Sequence, residues 1–497
     1  MIAHFPILVI VVVLLAAPIV PLVGRKNWVF GWYVATGATL LSFLMSLSLL
    51  NTVLTDGRIS YWLGNWEPPF GIEYVYDPLN AFVLVLVSFL AFMVAVYARK
   101  SLEAELQPDR LTPFYSMYML FVAGLMGMVA TGDLFNVYVF LEITSLAGYC
   151  LIAVGQKREA LMASFTYLIL GTIAATFVLL GIGYLYMATG TLNMADLAQR
   201  LPDLYQSKVV LTAFAFFTVG LSIKIALFPL HNWLPNAYTY APSVTSTIMA
   251  ATATKVGAYA LIRVMFTVFQ PDFEVTVVHV TQVLIFVSSV AILAGSIIAV
   301  AQTDIKKMLA YSSIGQIGYI TLGIALMNEI AMTGSVVHIL NHALMKGSLF
   351  LVVGAIVYKT GITHINDFIG LGKKMPVTMA AFTIAALSMI GVPLTVGFVS
   401  KWYLAIGSLD AGMWYLIPVI LLSSLLTAVY FWRVIDNIYF KKPEKENADE
   451  QTPPGISEAP ALMLVPTFAL AALCVVFGIF ASVPVSIAEK AAVMLLR

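Results

Sequence analysis

Val209 to Arg263 reads VVLTAFAFFTVGLSIKIALFPLHNWLPNAYTYAPSVTSTIMAATATKVGAYALIR, and its reading decides the fold. The stretch opens as an apolar helix fit to cross a membrane, yet it holds Lys224 and is interrupted by Pro229. Proline removes a backbone donor and clashes one turn back, so the helix breaks there. After a short connection with His231, Pro235 and Pro242, a second apolar helix carries Lys255 deep within its length. An ionisable group at membrane depth costs on the order of 3 kcal/mol or more, and irregular backbone there is tolerated only inside protein or against water. Those two features point to an ion path.

The rest of the chain agrees with a membrane setting. Its 497 residues are 61% apolar and 10% charged, with a mean hydropathy of +0.94; soluble domains carry about a quarter charged residues. A net charge of +1 gives no electrostatic surface for nucleic acid, and no phosphate-cradling glycine loop is present. Cys150 and Cys474 sit in apolar helices and read as small core residues rather than a disulfide, haem, cluster or metal site, so neither a cofactor nor a metal is expected. The first apolar run lacks a basic leader and a small-residue cleavage site, and reads as a retained helix.

Runs long enough to span the hydrocarbon fall at 5–23, 28–52, 78–98, 114–131, 134–154, 160–188, 208–238, 243–269, 276–300, 309–327, 330–358, 376–409, 412–440 and 460–483. The fold class is therefore an all-α polytopic membrane protein of about fourteen transmembrane helices, the seventh and twelfth broken. Asp56 to Tyr76 suits a short interfacial hairpin, and Lys441 to Glu458 a solvated connection. Loops after odd-numbered runs hold fifteen Lys and Arg against three, Arg58, Arg200 and Lys208, after even-numbered ones. The positive-inside rule then places both termini outside and the basic loops in the cytoplasm of a bacterial inner membrane.

Pro-interrupted runs recur five helices apart: SIKIALFPL around Lys224, and SMIGVPLTVGFVSKW before Lys401. Corresponding breaks in two units of five helices indicate two inverted repeats. The expected organisation is 1–110 with the hairpin, 111–270 and 271–440 as the repeats, and 441–497 as the polar connection and last helix.

Four lysines lie deep in predicted helices, Lys224, Lys255, Lys346 and Lys401, against one deep acid, Glu142 in VYVFLEITSLAGY. Arg263 and Arg433, near helix ends, are expected to snorkel to the headgroups. A static Glu142–Lys224 pair accounts for two residues and leaves Lys255 and Lys401 unexplained; a proton relay accounts for all of them, because burial makes each ammonium costly to keep. His338, His342 and Lys346 in SVVHILNHALMKGSLF are four apart, so they share one helix face with about 6 Å of rise between them. That is a wire of titratable groups. The segment has no carboxylate or thiolate to complete a tetrahedral zinc site; ordinary bonding of the histidines to neighbouring backbone is the plainer alternative. Asp133 reads as a helix cap or a proton exit, His231 as a backbone partner or a titrating group, and His279 and His364 as structural.

FPLHNWLPNAYTYAPSVTSTIMA (228–250), NHALMKGSLFLVVGA (341–355), HINDFIGLGKKMP (364–376) and GVPLTVGFVSKW (391–402) resemble the antiporter-like subunits shared by respiratory complex I, membrane-bound hydrogenases and Mrp-type cation/proton antiporters. The resemblance spans nearly the whole chain. It implies fourteen helices with two inverted five-helix repeats, with Glu142 as the acid of helix five, Lys224 and Lys401 as the lysines of the broken helices, and Lys255 as the central lysine. PFGIEYVYDPLNAF and TGDLFNVYVFLEITSLAGYCLIA look most like the Mrp D-type component. The run of helices ends at the fourteenth, without a lateral helix or C-terminal extension. The middle antiporter-like subunit of complex I carries glutamate where this chain has Lys401, although other complex I members also carry lysine there.

The resemblance implies a non-enzymatic, proton-translocating subunit of a multi-subunit Na⁺/H⁺ antiporter, partnered by other membrane subunits and the lipid bilayer. The alternatives are a subunit of a redox-driven pump of the complex I or hydrogenase kind, and a coupling component of inorganic-carbon uptake. Hard cations want several oxygen ligands, so Na⁺ is expected to pass through another subunit or an interface.

Overall fold

The computed structural model describes residues 4–273, 280–441 and 457–496; His279 and most of the predicted polar connection, with Lys442 and Lys445, lie outside the described residues. The chain is helical almost throughout. In order come α1 (Phe5–Gly24), α2 (Trp28–Asp56), a hairpin of β1 (Ile59–Trp62) and β2 (Glu73–Tyr76), α3 (Pro78–Glu105), α4 (Pro108–Ala130), α5 (Leu134–Ala153) and α6 (Arg158–Thr189). The hairpin strands pair antiparallel, Ile59 opposite Tyr76 and Trp62 opposite Glu73. Then follow α7 (Lys208–Lys224), α8 (Leu234–Tyr240), α9 (Ser243–Val268), α10 (Val280–Val300), α11 (Ile305–Ala325), α12 (Glu329–Thr360), α13 (Pro376–Ile390), α14 (Val396–Asp410), α15 (Leu416–Tyr439), α16 (Ala461–Ile479) and α17 (Ser482–Leu496).

Among the described residues, eleven helices are long and apolar enough to cross a membrane. The runs at 208–238, 309–327 and 376–409 yield none of these. The first and last are each divided in two, and α11 opens on Ile-Lys-Lys and carries Ser312, Ser313 and Gln316, which lowers its apolarity. Nor does the last run end the helical series: α17 follows it, burying Val485, Ile487, Ala488, Ala491, Ala492 and Leu495 while Glu489 and Lys490 stay exposed. Apolar residues three and four apart make one stripe, too short to span but enough to seat the helix.

The core is built on α12. Every residue from Ala331 to Ile356 is buried, His338, Asn341, His342 and Lys346 included, because α3, α9, α11, α13, α14, α16 and α17 pack around it. Small residues set the distances. A side chain at Gly397, in the first turn of α14, would place its Cβ 1.8 Å from the Ser388 carbonyl oxygen of α13. Cys150 is exposed rather than a core residue, whereas Cys474 is buried.

Candidate functional site

α5 starts where Asp133 accepts the Asn136 amide at 2.7 Å, a helix cap. That start sets Glu142 in mid-helix on a partly exposed face beside Leu146, itself 57% exposed. One turn on, Ser145 accepts a hydrogen bond from Lys224 Nζ at 2.5 Å. The ion pairs among the described residues are Lys100–Glu103, Arg200–Asp196, Arg263–Asp77 and Lys441–Asp436; Glu142 is in none of them, although it acts electrostatically on Lys224. Lys224 is the last residue of α7, its ammonium 5.6 Å from the centre of the Tyr167 ring. Trp233 stacks on Tyr167 at 4.2 Å and donates from Nε1 to the Ile223 carbonyl at 2.8 Å, satisfying a backbone group that the break releases. His231 stacks on Phe228 and turns its edge to Tyr311.

Past the break, α9 carries Lys255 with no exposed surface. Two stretches of this helix, Met249–Ala253 and Arg263–Val268, are wound as π-helix. Such wide turns offer carbonyls that an α-helix would have engaged, and Lys255 Nζ donates to the Ala250 carbonyl within the first of them. Thr254 Oγ1 lies 3.4 Å from the same ammonium.

His342 on α12 is within electrostatic reach of both Lys255 and Lys346, which also feel one another. Lys346 Nζ donates to the Leu309 carbonyl of α11 at 2.8 Å. Neither ring nitrogen of His342 has a hydrogen-bond partner among the described residues. His338 is stacked 6.0 Å from it and is fixed at both ends, Nδ1 to Ser400 Oγ at 2.8 Å and Nε2 to Gln316 Oε1 at 3.0 Å. The Tyr319 ring lies 5.6 Å from His338 and 5.3 Å from Lys401 Nζ. That ammonium donates to the Met389 and Ile390 carbonyls and to Ser424 Oγ, each at 3.0 Å. Those carbonyls end α13, so Lys401 sits at the negative end of a half-helix; Lys224 is itself the last residue of α7, and its ammonium is bonded to Ser145 of α5 instead.

The structure thus brings Lys255, Lys346, His342, His338 and Lys401 into one buried row, with Lys224 and Glu142 at another break. Sequence reading missed the groups that hold them: Ser145, Tyr167, Gln316, Tyr319, Ser400 and Ser424. Ser145 was visible as the hydroxyl one turn after Glu142, and Gln316 as the lone amide of its run. Tyr167 and Tyr319 are buried inside the protein.

Three expectations are corrected. Arg263, 7% exposed, does not snorkel: Asp77, 4% exposed, holds it in a buried ion pair, so Glu142 has company among the deep acids. Arg433 donates to the Val300 and Gln302 carbonyls, closing the end of α10. Lys306 is buried rather than a loop charge, its Nζ 3.3 Å from both the Ala241 carbonyl and Ser243 Oγ, where Glu105 accepts the Ser243 amide at 2.8 Å.

Broken helices with a buried lysine at each break, around a core helix lined with basic groups, define an antiporter-like membrane subunit. Residues 131–427 match the family described as NADH:quinone oxidoreductase/Mrp antiporter, TM, and the chain belongs to that family. It is 48% identical to the N-type component of the NADH-quinone oxidoreductase of Desulforudis audaxviator, over 97% of this chain and 96% of that one. Identity to the D-type component of the Na(+)/H(+) antiporter of Bacillus subtilis is 30%, over 93% and 92%. In three dimensions it matches a chain of the membrane-bound sulfane sulfur reductase, an archaeal respiratory membrane complex, with a TM-score of 0.90 and 30% identity over 99% and 98%.

Proposed function

We propose that the chain moves protons through a multi-subunit complex of a bacterial inner membrane, using Glu142, Lys224, Lys255, His342, His338, Lys346 and Lys401 as a relay. The observation that carries this reading is the buried row along α12. Lys255 and Lys346 have no exposed surface, act on one another, and are in none of the ion pairs among the described residues. Charging both amines in a low-dielectric core is costly, so an arriving proton gains by passing to His342 and onward. His338 and Tyr319 continue the row to Lys401.

At the other break, Lys224 bonded to Ser145 and apart from Glu142 is the arrangement that the separated half of a cycle requires. When Glu142 approaches, the ammonium is paired; when it withdraws, the unpaired charge drives its proton toward Lys255. Glu142→Gln and Lys224→Ala variants that assemble are expected to lose at least tenfold in proton transport in vesicles, about 1.4 kcal/mol of coupling. Full transport in both would sink the relay.

The finer reading is a subunit of a monovalent cation/proton antiporter, with Na⁺ crossing elsewhere in the complex. It is supported by the likeness to the Bacillus subtilis antiporter component. A second reading, a proton-pumping subunit of a redox-driven complex, is favoured by the 48% identity to the NADH-quinone oxidoreductase component. Purifying the intact complex separates the two. Na⁺-dependent collapse of a pH gradient supports the antiporter, and co-purifying flavin or iron-sulfur clusters support the pump.

A further inference from the structure

The face that carries Arg58 and Arg200 holds a cavity of about 600 Å³ that the relay does not use. Its rim includes the exposed Arg58 and Gln199, and it reaches inward to Asn80, Asp77, Tyr259 and Arg263, none more than 7% exposed.

The floor of this cavity is tied at every polar atom. Arg263 Nη2 donates to both Asp77 oxygens, at 2.6 and 2.5 Å, Nε to the Tyr259 hydroxyl at 2.9 Å, and Nη1 to Thr267 Oγ1 at 3.3 Å. The Tyr259 hydroxyl donates onward to the Val129 carbonyl of α4 at 2.8 Å. Asp77 also accepts the Leu79 and Asn80 amides, at 3.0 and 3.1 Å.

Tyr259 lies one helical turn beyond Lys255 on α9, and Arg263 one turn beyond that, at about 6 Å of rise per step. The cavity therefore stops a turn short of the central lysine, whose ammonium faces the other way, toward Ala250. A tyrosine hydroxyl and a guanidinium stand between them. A guanidinium does not give up its proton, and, with its charge balanced by the Asp77 carboxylate, Arg263 closes the constriction as a group that cannot pass a proton on. A plain structural plug needs neither charge, since apolar packing closes a gap at less desolvation cost than a buried ion pair.

Resting on the relay reading of Lys255, we infer that Arg263, held by Asp77 and Tyr259, is the non-relaying stopper of a water-entered vestibule, keeping the Lys255 proton from the Arg58/Arg200 face. Arg263 is a positioning residue in this role. It carries no proton itself; it forces the proton of Lys255 to leave along α12.

The test is passive proton flux across vesicles containing the intact complex, with an imposed pH gradient and no transported cation, read with a pH-sensitive dye. The double variant Asp77→Asn with Arg263→Gln removes both charges without orphaning either, and is expected to leak about tenfold faster than the parent. Arg263→Lys keeps the charge but puts an amine able to release its proton in the same place, so it leaks too, whereas a merely structural ion pair would be restored by it. Tyr259→Phe, which keeps the ring and both charges but frees Arg263 Nε, gives a smaller rise and serves should the double variant fail to assemble. Adding Lys255→Met to the double variant returns the flux to the parental level, because the leak ends at that amine.

The stopper is overturned by an assembled double variant as tight as the parent, by Arg263→Lys as tight as the parent, or by a leak that survives Lys255→Met. Lys255→Met alone separates this inference from the relay. If that variant abolishes coupled transport while the double variant stays tight, only the stopper falls; if it transports normally, the relay falls.

Discussion

His338 and His342 occupy consecutive turns of one helix and are held in opposite ways. His338 is anchored by Ser400 and Gln316; His342 has no partner for either ring nitrogen among the described residues. A buried polar group without a partner costs about 1–3 kcal/mol, a cost that packing alone does not explain and a proton-passing role does. His342→Leu is therefore expected to leave the melting temperature unchanged or higher while proton transport falls at least tenfold. His338→Leu takes the partner of Gln316 Oε1 and leaves Ser400 with Asn341 alone, lowers stability by about 1–3 kcal/mol and lowers the melting temperature with it. Thermal unfolding and vesicle transport measured on the same preparations check the contrast; a stabilised His342→Leu with full transport would count against the row. Asp77→Ala strands the Arg263 guanidinium in the core, and breaking one side of a buried pair costs about 3–5 kcal/mol. A melting temperature like the parent's would mean that the pair is not buried in the working complex.

At the scale of elements, the breaks explain why lysines are tolerated at depth. Lys401 is bonded to the last carbonyls of α13, so its ammonium meets the negative end of a half-helix, and Lys224, where α7 ends, is bonded to the Ser145 hydroxyl of α5. The breaks were legible in the sequence because Pro229 and the Gly391-Val392-Pro393 triplet are local signals. The bonding was not, because it depends on which carbonyls are left free across a turn. The π-wound stretches of α9 were likewise hidden: MAATA and RVMFTV have no composition that separates them from α-helix, and the wide turn follows from what packs around them. Arg263 was misread for the same reason, since its partner Asp77 is distant in sequence and near only in space. Gly397 tests the second break. Its missing side chain lets α14 start against the Ser388 carbonyl, so Gly397→Ala is expected to push the half-helices apart, cost about 1–3 kcal/mol through overpacking and move Lys401 off the α13 carbonyls. The measurement is transport at fixed subunit abundance, and a variant with parental transport would show that the close approach is dispensable.

Over the whole molecule, composition alone announced a membrane protein built on long apolar helices, because that property is summed over hundreds of residues and tolerates local error. Which helix sits at the centre was not in the composition, since α12 is less apolar than α3 or α16, which pack on it, and is central only because its neighbours surround it. The last helix was missed because fifteen residues with two charges read as a tail. Yet α17 packs against α12 and α3, and its end lines the cavity beside Arg263, so it closes the core on that side. Its buried stripe then makes a sharp prediction. Ala491, with no exposed surface, faces the core, and Lys490, its neighbour, faces out. Ala491→Glu forces a carboxylate against apolar side chains, and an unpaired buried charge costs several kcal/mol; α17 is expected to detach, lowering the melting temperature and the yield of assembled complex on size-exclusion chromatography. Lys490→Glu changes charge by more and should leave both unaltered. Equal behaviour of the two variants would mean that α17 is an appendage; a selective loss at Ala491 would make it part of the wall that keeps water from the relay.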